Sequence, residues 1–160
     1  MRKLTLVLLL FTFIANAQFV GVIGTDVANS VVGGTVNSKA FDFHAKIYYQ
    51  PEQKERFGVF YERFDKLNFE TFGWLYDRSF YPIDKLQMSI GGEWILIHRW
   101  KGYLFKLDGT DVIHWSYGAN AETAYSLGNG WAIGLQFNYR NRADIDKWVG
   151  STFLNIHKQL

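Results

Sequence analysis

The sequence predicts an all-β chain folded as an eight-stranded antiparallel up-and-down β-barrel. Three observations carry this. Segments of strand length alternate apolar and polar side chains, and aromatic residues make up 18% of the chain while proline occurs only at Pro51 and Pro82. Beyond residue 17, no window has the length and apolarity of a membrane-spanning helix. Residues 131–140 show the pattern best: Trp131, Ile133, Leu135, Phe137 and Tyr139 alternate with Ala132, Gly134, Gln136, Asn138 and Arg140. Successive side chains of a strand point to opposite faces, so this segment has one oily face with aromatic ends and one small or polar face.

The chain opens with Met1-Arg2-Lys3, an apolar run from Leu4 to Ile14 and then Ala15-Asn16-Ala17. A basic start, a short apolar stretch and an A-x-A site form the pattern of a cleaved secretory signal peptide. The expected organisation is a signal over residues 1–17 and a single domain over residues 18–160. Losing Arg2 and Lys3 leaves basic and acidic side chains balanced at 15 each, so bulk charge gives no support for a nucleic-acid partner. There is no cysteine, so an exported domain of this size must be stable without disulfide staples.

The strands follow in order. Residues 19–28 are the candidate opening strand, although their alternation is poor. Residues 40–50 place Phe41, Phe43, Ala45, Ile47 and Tyr49 on one face and Asp42, His44, Lys46 and Tyr48 on the other. Residues 56–64 and 68–78 are aromatic-rich, with Phe57, Val59 and Tyr61 competing against Gly58 and Phe60 for the outer face. Residues 86–97 oppose Leu86, Met88, Ile90, Gly92, Trp94 and Leu96 to Gln87, Ser89, Gly91 and Glu93. Residues 112–125 oppose Ile113, Trp115, Tyr117, Ala119, Ala121 and Tyr125 to His114, Ser116, Gly118, Asn120 and Glu122. After residues 131–140, the last segment (148–156) points Trp148, Thr152, Leu154 and Ile156 outward and Ser151 and Asn155 inward, with Phe153 on the inward side. A rival count drops residues 19–28 in favour of 103–107, but five residues are too short to cross a bilayer. The expected connections are 29–39, 65–67, 98–111 and 141–147 at one end, and 51–55, 79–85 and 126–129 at the other.

Alternation alone fits a soluble lipocalin-like binder with an oily interior as well as a transmembrane β-barrel with an oily exterior. The character of the faces separates them. The polar face mixes charges with Gly91, Gly118 and Gly134, which suits a narrow filled lumen. The apolar face places Trp131 and Tyr139, and Trp115 and Tyr125, toward the ends of their strands, as in interfacial aromatic girdles. The preferred reading is the transmembrane barrel.

With these features the chain resembles the small eight-stranded outer-membrane barrels, such as outer-membrane protein X and the barrel domain of outer-membrane protein A. The stretch Ile14-Ala15-Asn16-Ala17-Gln18 is similar to signal ends of Bacteroidetes exported proteins. The resemblance implies a Gram-negative outer-membrane location, lipid and lipopolysaccharide around the barrel, insertion by the barrel-assembly machinery, and a monomer with a structural or surface-interaction role. Family members end in an aromatic residue, whereas this chain ends Ile156-His157-Lys158-Gln159-Leu160.

Three sets of residues could carry chemistry. His114 and Ser116 share a strand face and resemble the His-x-Ser of outer-membrane lipid A deacylases. Glu122, however, lies roughly 20 Å from Ser116 along the strand, too far to orient the histidine. A lumen hydrogen-bond pair is the preferred reading, and a lipid-modifying enzyme is the alternative. Arg99, Trp100, Lys101 and Lys106 are the candidate lipopolysaccharide contacts, cations for phosphate with an interfacial aromatic. Asp42, Lys46, Glu93, Glu122 and Arg140 are expected to form a salt-bridged lumen plug, because an eight-stranded barrel is only wide enough for its own side chains. His44, His98, His114 and His157 are scattered and define no metal site, Val32-Gly33-Gly34-Thr35 is no phosphate loop, and no cofactor is expected.

Overall fold

The structure is a computed structural model that describes residues 18–28, 42–52, 54–64, 69–99, 112–144 and 146–160. Eight strands run in chain order: β1 (Gln18–Asp26), β2 (Asp42–Glu52), β3 (Glu55–Phe64), β4 (Phe69–Ile83), β5 (Leu86–Arg99), β6 (Val112–Gly128), β7 (Trp131–Arg142) and β8 (Lys147–Gln159). Each pairs antiparallel with its neighbours in sequence, and β1 pairs with β8 to close the barrel. Closure uses Gln18–Asp26, which overlaps the expected opening strand 19–28 but stops two residues short of its end, with pairs running from Val20↔Gln159 to Asp26↔Phe153. The rival at 103–107 and the signal at 1–17 lie outside the described residues.

Two ends can be told apart. One, the turn end, carries both terminal strand ends and the tight hairpins, in which Glu52↔Glu55, Ile83↔Leu86 and Gly128↔Trp131 are the last pairs. At the third hairpin Asn129 and Gly130 have φ of 52° and 74°, the left-handed pair of a type I′ turn that matches the twist of the flanking strands. The opposite, loop end joins β1 to β2, β3 to β4, β5 to β6 and β7 to β8.

Several expected connections are shorter than the sequence suggested. Residues 79–83 continue β4, because Phe80 and Ser89-flanking Met88 stay paired, and Pro82 is accommodated where the register shifts between Phe80 and Ile83. Residues 126–128 continue β6, and β7 runs on through Arg142. His98 and Arg99, expected in a loop, are the last residues of β5, paired with Ile113 and Val112.

The strong alternations are oriented as the sequence implied. Ile133, Leu135, Phe137 and Tyr139 are exposed, while Gln136, Asn138 and Arg140 are buried inside. The ambiguous β3 turns Phe57 and Val59 out and Arg56, Phe60, Glu62 and Phe64 in. On β4, Phe72, Trp74 and Phe80 face out and Asp77 and Ser79 face in. The exterior is therefore an apolar band. At its loop end it bears Phe43–Tyr61, Trp74–Trp115 and Tyr139–Trp148 ring pairs, with centroids 6.2, 6.1 and 5.1 Å apart. Phe19–Tyr49 and Phe57–Tyr76 lie toward the turn end, at 5.7 and 5.1 Å.

The interior is not uniformly polar. Val22, Tyr48, Phe60, Phe64, Phe69, Leu75, Ile95 and Ile97 form a buried apolar cluster within it. Most of these large inward residues lie on the strands whose phase was hardest to read.

Candidate functional site

The inward face of the sheet assembles charged residues from most of the strands into a packed column. Midway along it, Arg140 of β7 reaches Glu93 of β5 and Glu62 of β3. Its Nε and Nη2 both donate to Glu93, the latter at 3.2 Å to Oε2, and Nη1 donates to Glu62. The guanidinium also lies 5.1 Å from the Phe60 ring centroid. One planar cation thus engages two carboxylates and an aromatic face, a geometry that lysine cannot reproduce.

Toward the turn end, Arg56 of β3 holds Asp77 of β4 at 3.1 Å, Ser89 of β5 at 2.7 Å and Glu122 of β6 at 3.3 Å. Its guanidinium sits 4.5 Å from the Tyr48 ring centroid. Glu122 is a hub, taking hydrogen bonds from Asn155 at 2.6 Å and His157 at 3.0 Å. Asn155 also donates to Gln136, which accepts from Lys46. His44 donates to Asn155 at 2.7 Å and stacks on Phe153, with centroids 4.1 Å apart. Asn120 donates to Asp77 at 3.0 Å. A glycine permits part of this: a Cβ at Gly91 would collide with the Asp77 carboxylate and the Tyr76 carbonyl.

At the loop end, Arg99 and Arg142 clasp Asp144, which sits in the connection between β7 and β8. The two Arg142–Asp144 bonds are each 2.8 Å. Phe69 stacks under Arg142 at 3.9 Å and lies 6.0 Å from Arg99. Burial opposes ionisation of Asp144, but hydrogen bonds and charge from Arg142, with the charge of Arg99, outweigh it and hold the carboxyl below its ordinary range.

The sequence-derived candidates are distributed as follows. Asp42, Lys46, Glu93, Glu122 and Arg140 all lie buried inside; Glu93 and Arg140 pair directly, while Lys46 and Glu122 are joined through Gln136 and Asn155. Arg99 is displaced from its expected role, being buried and engaged with Asp144. The physical reason is strand parity: Glu93, Ile95, Ile97 and Arg99 are alternate residues of β5 and share the inner face. Trp100, Lys101 and Lys106 lie outside the described residues. Ser116 is buried and donates to the Asn141 carbonyl, and no hydrogen bond joins it to the half-buried His114 among the described residues. Arg56, Glu62, Asp77, Arg142, Asp144 and His157 were missed. Parity from the clear strands identifies His157, two residues beyond Asn155, and Arg142, two beyond Arg140, but nothing local marks Asp144 as their acidic counterpart.

At the turn end the column opens into a cup of about 450 Å³ lined by Gln18, Gln50, Gln87, Gln159, Arg56 and His157. The ion pairs beneath it form its floor.

No family model matches the chain, and no curated protein matches it. Among solved structures, the fold is that of small transmembrane barrels. It is similar to the outer membrane protein Ail of Yersinia pestis in a phospholipid bilayer nanodisc, at 12% identity and a TM-score of 0.58, covering 90% of this chain and 99% of that one. It is also similar to a de novo designed transmembrane β-barrel, at 12% identity and a TM-score of 0.55, covering 90% and 94%. Neisserial surface protein A aligns at 16% identity and a TM-score of 0.48, covering 90% and 96%.

Two outcomes follow. Arg140→Met strands Glu62 and Glu93 in the interior and is expected to cost about 3–5 kcal/mol of unfolding free energy, whereas the triple change R140M/E62Q/E93Q recovers most of that loss. Urea titration of the refolded chain measures both, and an equal loss in the triple variant would refute the pairing argument. The second concerns acid. Because the folded carboxyl of Asp144 titrates below its unfolded value, its stabilising contribution is complete above about pH 4 and is lost as pH falls through the lowered folded value. The protection of the Ala143 and Asp144 amides, taken relative to their intrinsic chemical exchange rates, is expected to fall as pH drops below about 4 in the wild type. In Asp144→Asn exchange is already fast at pH 7 and changes little with acid beyond the chemical rate.

Proposed function

We propose that the chain is an outer-membrane β-barrel protein of a Gram-negative bacterium, of Bacteroidetes type, exported by the signal at residues 1–17. Its role is structural or surface-interactive through the loop end, and it is not a wide pore. The observation that carries this reading is the inverted distribution of polarity: Ile23, Ile47, Ile90, Trp94, Trp115, Leu135 and Ile156 are exposed, while Lys46, Arg56, Glu93 and Arg140 are buried. In water, so large an apolar exterior would drive association. Hydrocarbon around it removes that penalty, and a closed strand ladder leaves no backbone edge to face lipid.

The same distribution weighs against a lipocalin-like binder, whose oily face lines the cavity. A deacylase-like activity has less support, since Ser116 is committed to the Asn141 carbonyl inside the barrel. The ion-paired column supports a plug in place of an open channel. The loop end faces the cell exterior on this reading, because small outer-membrane barrels keep short turns on the periplasmic side. Lipopolysaccharide is then the nearest partner, with Trp100, Lys101 and Lys106 as its candidate contacts. The protein acts as a monomer inserted by the barrel-assembly machinery.

Leu135→Arg tests the membrane placement. At an exposed position of a soluble protein such a change stays within about 0.5 kcal/mol, whereas on a lipid face near the bilayer midplane it costs about 2–4 kcal/mol. Urea unfolding in phospholipid vesicles reads the difference, and a neutral result would remove the membrane reading. For the surface role, K101E/K106E is expected to weaken co-purification of lipopolysaccharide several-fold while leaving heat-modifiable gel migration intact. Unchanged retention would exclude these lysines as its contacts.

A further inference from the structure

On the outward face of β4, Arg78 interrupts the apolar band between Tyr76 and Phe80. Its chain neighbours Asp77 and Ser79 are buried inside, so Arg78 points away from the lumen, where it is exposed. A guanidinium on a lipid-facing strand needs an anionic partner or water. Glu55 stands directly opposite it in the β3–β4 register, yet that carboxylate accepts the Tyr76 hydroxyl at 3.3 Å, and among the described residues no ion pair joins it to Arg78. Lys54, at the β2–β3 hairpin, is brought alongside because its carbonyl accepts the Ser79 amide at 2.7 Å. Arg78, Lys54, Phe80 and Ile90 line one groove of about 440 Å³ on the barrel exterior.

We propose that this groove binds the phosphate headgroup of a phospholipid from the periplasmic leaflet. The proposal rests on the membrane reading above. The arginine fork and the lysine ammonium supply charge-assisted donors for phosphate oxygens. Phe80 and Ile90, 49% and 61% exposed, offer an apolar wall for the first part of an acyl chain. Position along the barrel selects the leaflet, because the groove abuts the turn end, where the hairpins and both terminal strand ends lie. Charge complementarity selects an anionic occupant: the groove lining includes two cations and no carboxylate.

The test uses the full chain refolded in detergent micelles and examined by native mass spectrometry. Two probes are compared: dimyristoylphosphatidylglycerol, and dimyristoylglycerol, which has the same tails without phosphate. The wild type is expected to retain one phosphatidylglycerol at least fivefold better than the diacylglycerol. R78Q/K54Q is expected to erase that preference, whereas Arg63→Gln at the loop end preserves it. Equal retention of the two probes by the wild type overturns the proposal without reference to how any variant folds. So does an undiminished preference in folded R78Q/K54Q, or an equal loss in Arg63→Gln. A chain that fails to enter phospholipid vesicles overturns the membrane reading itself, which separates that failure from the failure of this site.

Discussion

Hydrogen-bonded closure of β1 onto β8 is the contact on which the rest of the molecule depends. A sheet of this size left open would expose the backbone donors and acceptors of two edge strands, and in hydrocarbon nothing would satisfy them. Closure also fixes the direction of every side chain, because a strand held on both sides cannot slip by one residue without exchanging its faces. The strand that completes the ring has the weakest alternation of all: Val22 and Asp26 are buried, Ile23 is exposed, and glycines occupy Gly21 and Gly24. Its place is set by its partners. Gly24 leaves room for the Asn155 and His44 side chains, which a Cβ would displace.

The narrowness of the ring then dictates its chemistry. Inward charges have no bulk water, so each must find a counter-charge from another strand or a set of hydrogen bonds. Long-range pairs such as Arg140–Glu62 and Arg56–Glu122 meet this need by spanning the lumen, and Arg99 meets it at the loop end through Asp144. Each of these arginines rests on or near an inward aromatic: Phe60 for Arg140, Tyr48 for Arg56, Phe69 for Arg99. Cation–π contact is worth most where the cation is desolvated. The apolar cluster inside the barrel and the ion pairs are thus one packing arrangement, with rings as shelves for guanidinium groups.

The same arrangement explains which parts of the fold were legible. Strands β2, β6 and β7 carry small or polar inward residues, and β5 does so over its first half, so their two faces differ in kind and period two reads cleanly. On β3 and β4 the inward rings Phe60, Phe64 and Phe69 stand opposite outward Phe57, Phe72 and Trp74, so both faces look apolar and the phase dissolves. The inner members of the charge network on clear strands, such as Lys46, Glu93, Glu122 and Arg140, were visible for that reason. Their counterparts Arg56, Glu62 and Asp77 lie on the two obscured strands and came to light only with the register. A β5 that ends at Ile97 leaves Arg99 in a loop, whereas strand parity carries it inward to Asp144.

Outside the ring, the logic of charge reverses. Lys158 faces outward near the chain end, where its ammonium donates to the Asn129 carbonyl at 2.9 Å and lies 4.9 Å from the Trp131 ring centroid. It breaks the apolar register of β8 in the sequence, yet at the rim of the band its stem can cover oily surface while its head meets polar groups. Arg78 presents the same problem without the same solution. It lies between Tyr76 and Phe80, opposite Glu55 at the hairpin end of β3, and no ion pair joins it to another side chain among the described residues. An outward cation that the fold leaves uncompensated marks a place where the surroundings must supply the counter-charge. Inside the barrel Arg56 and Arg140 reach carboxylates on other strands, whereas at Arg78 the counter-charge falls to the band around the barrel.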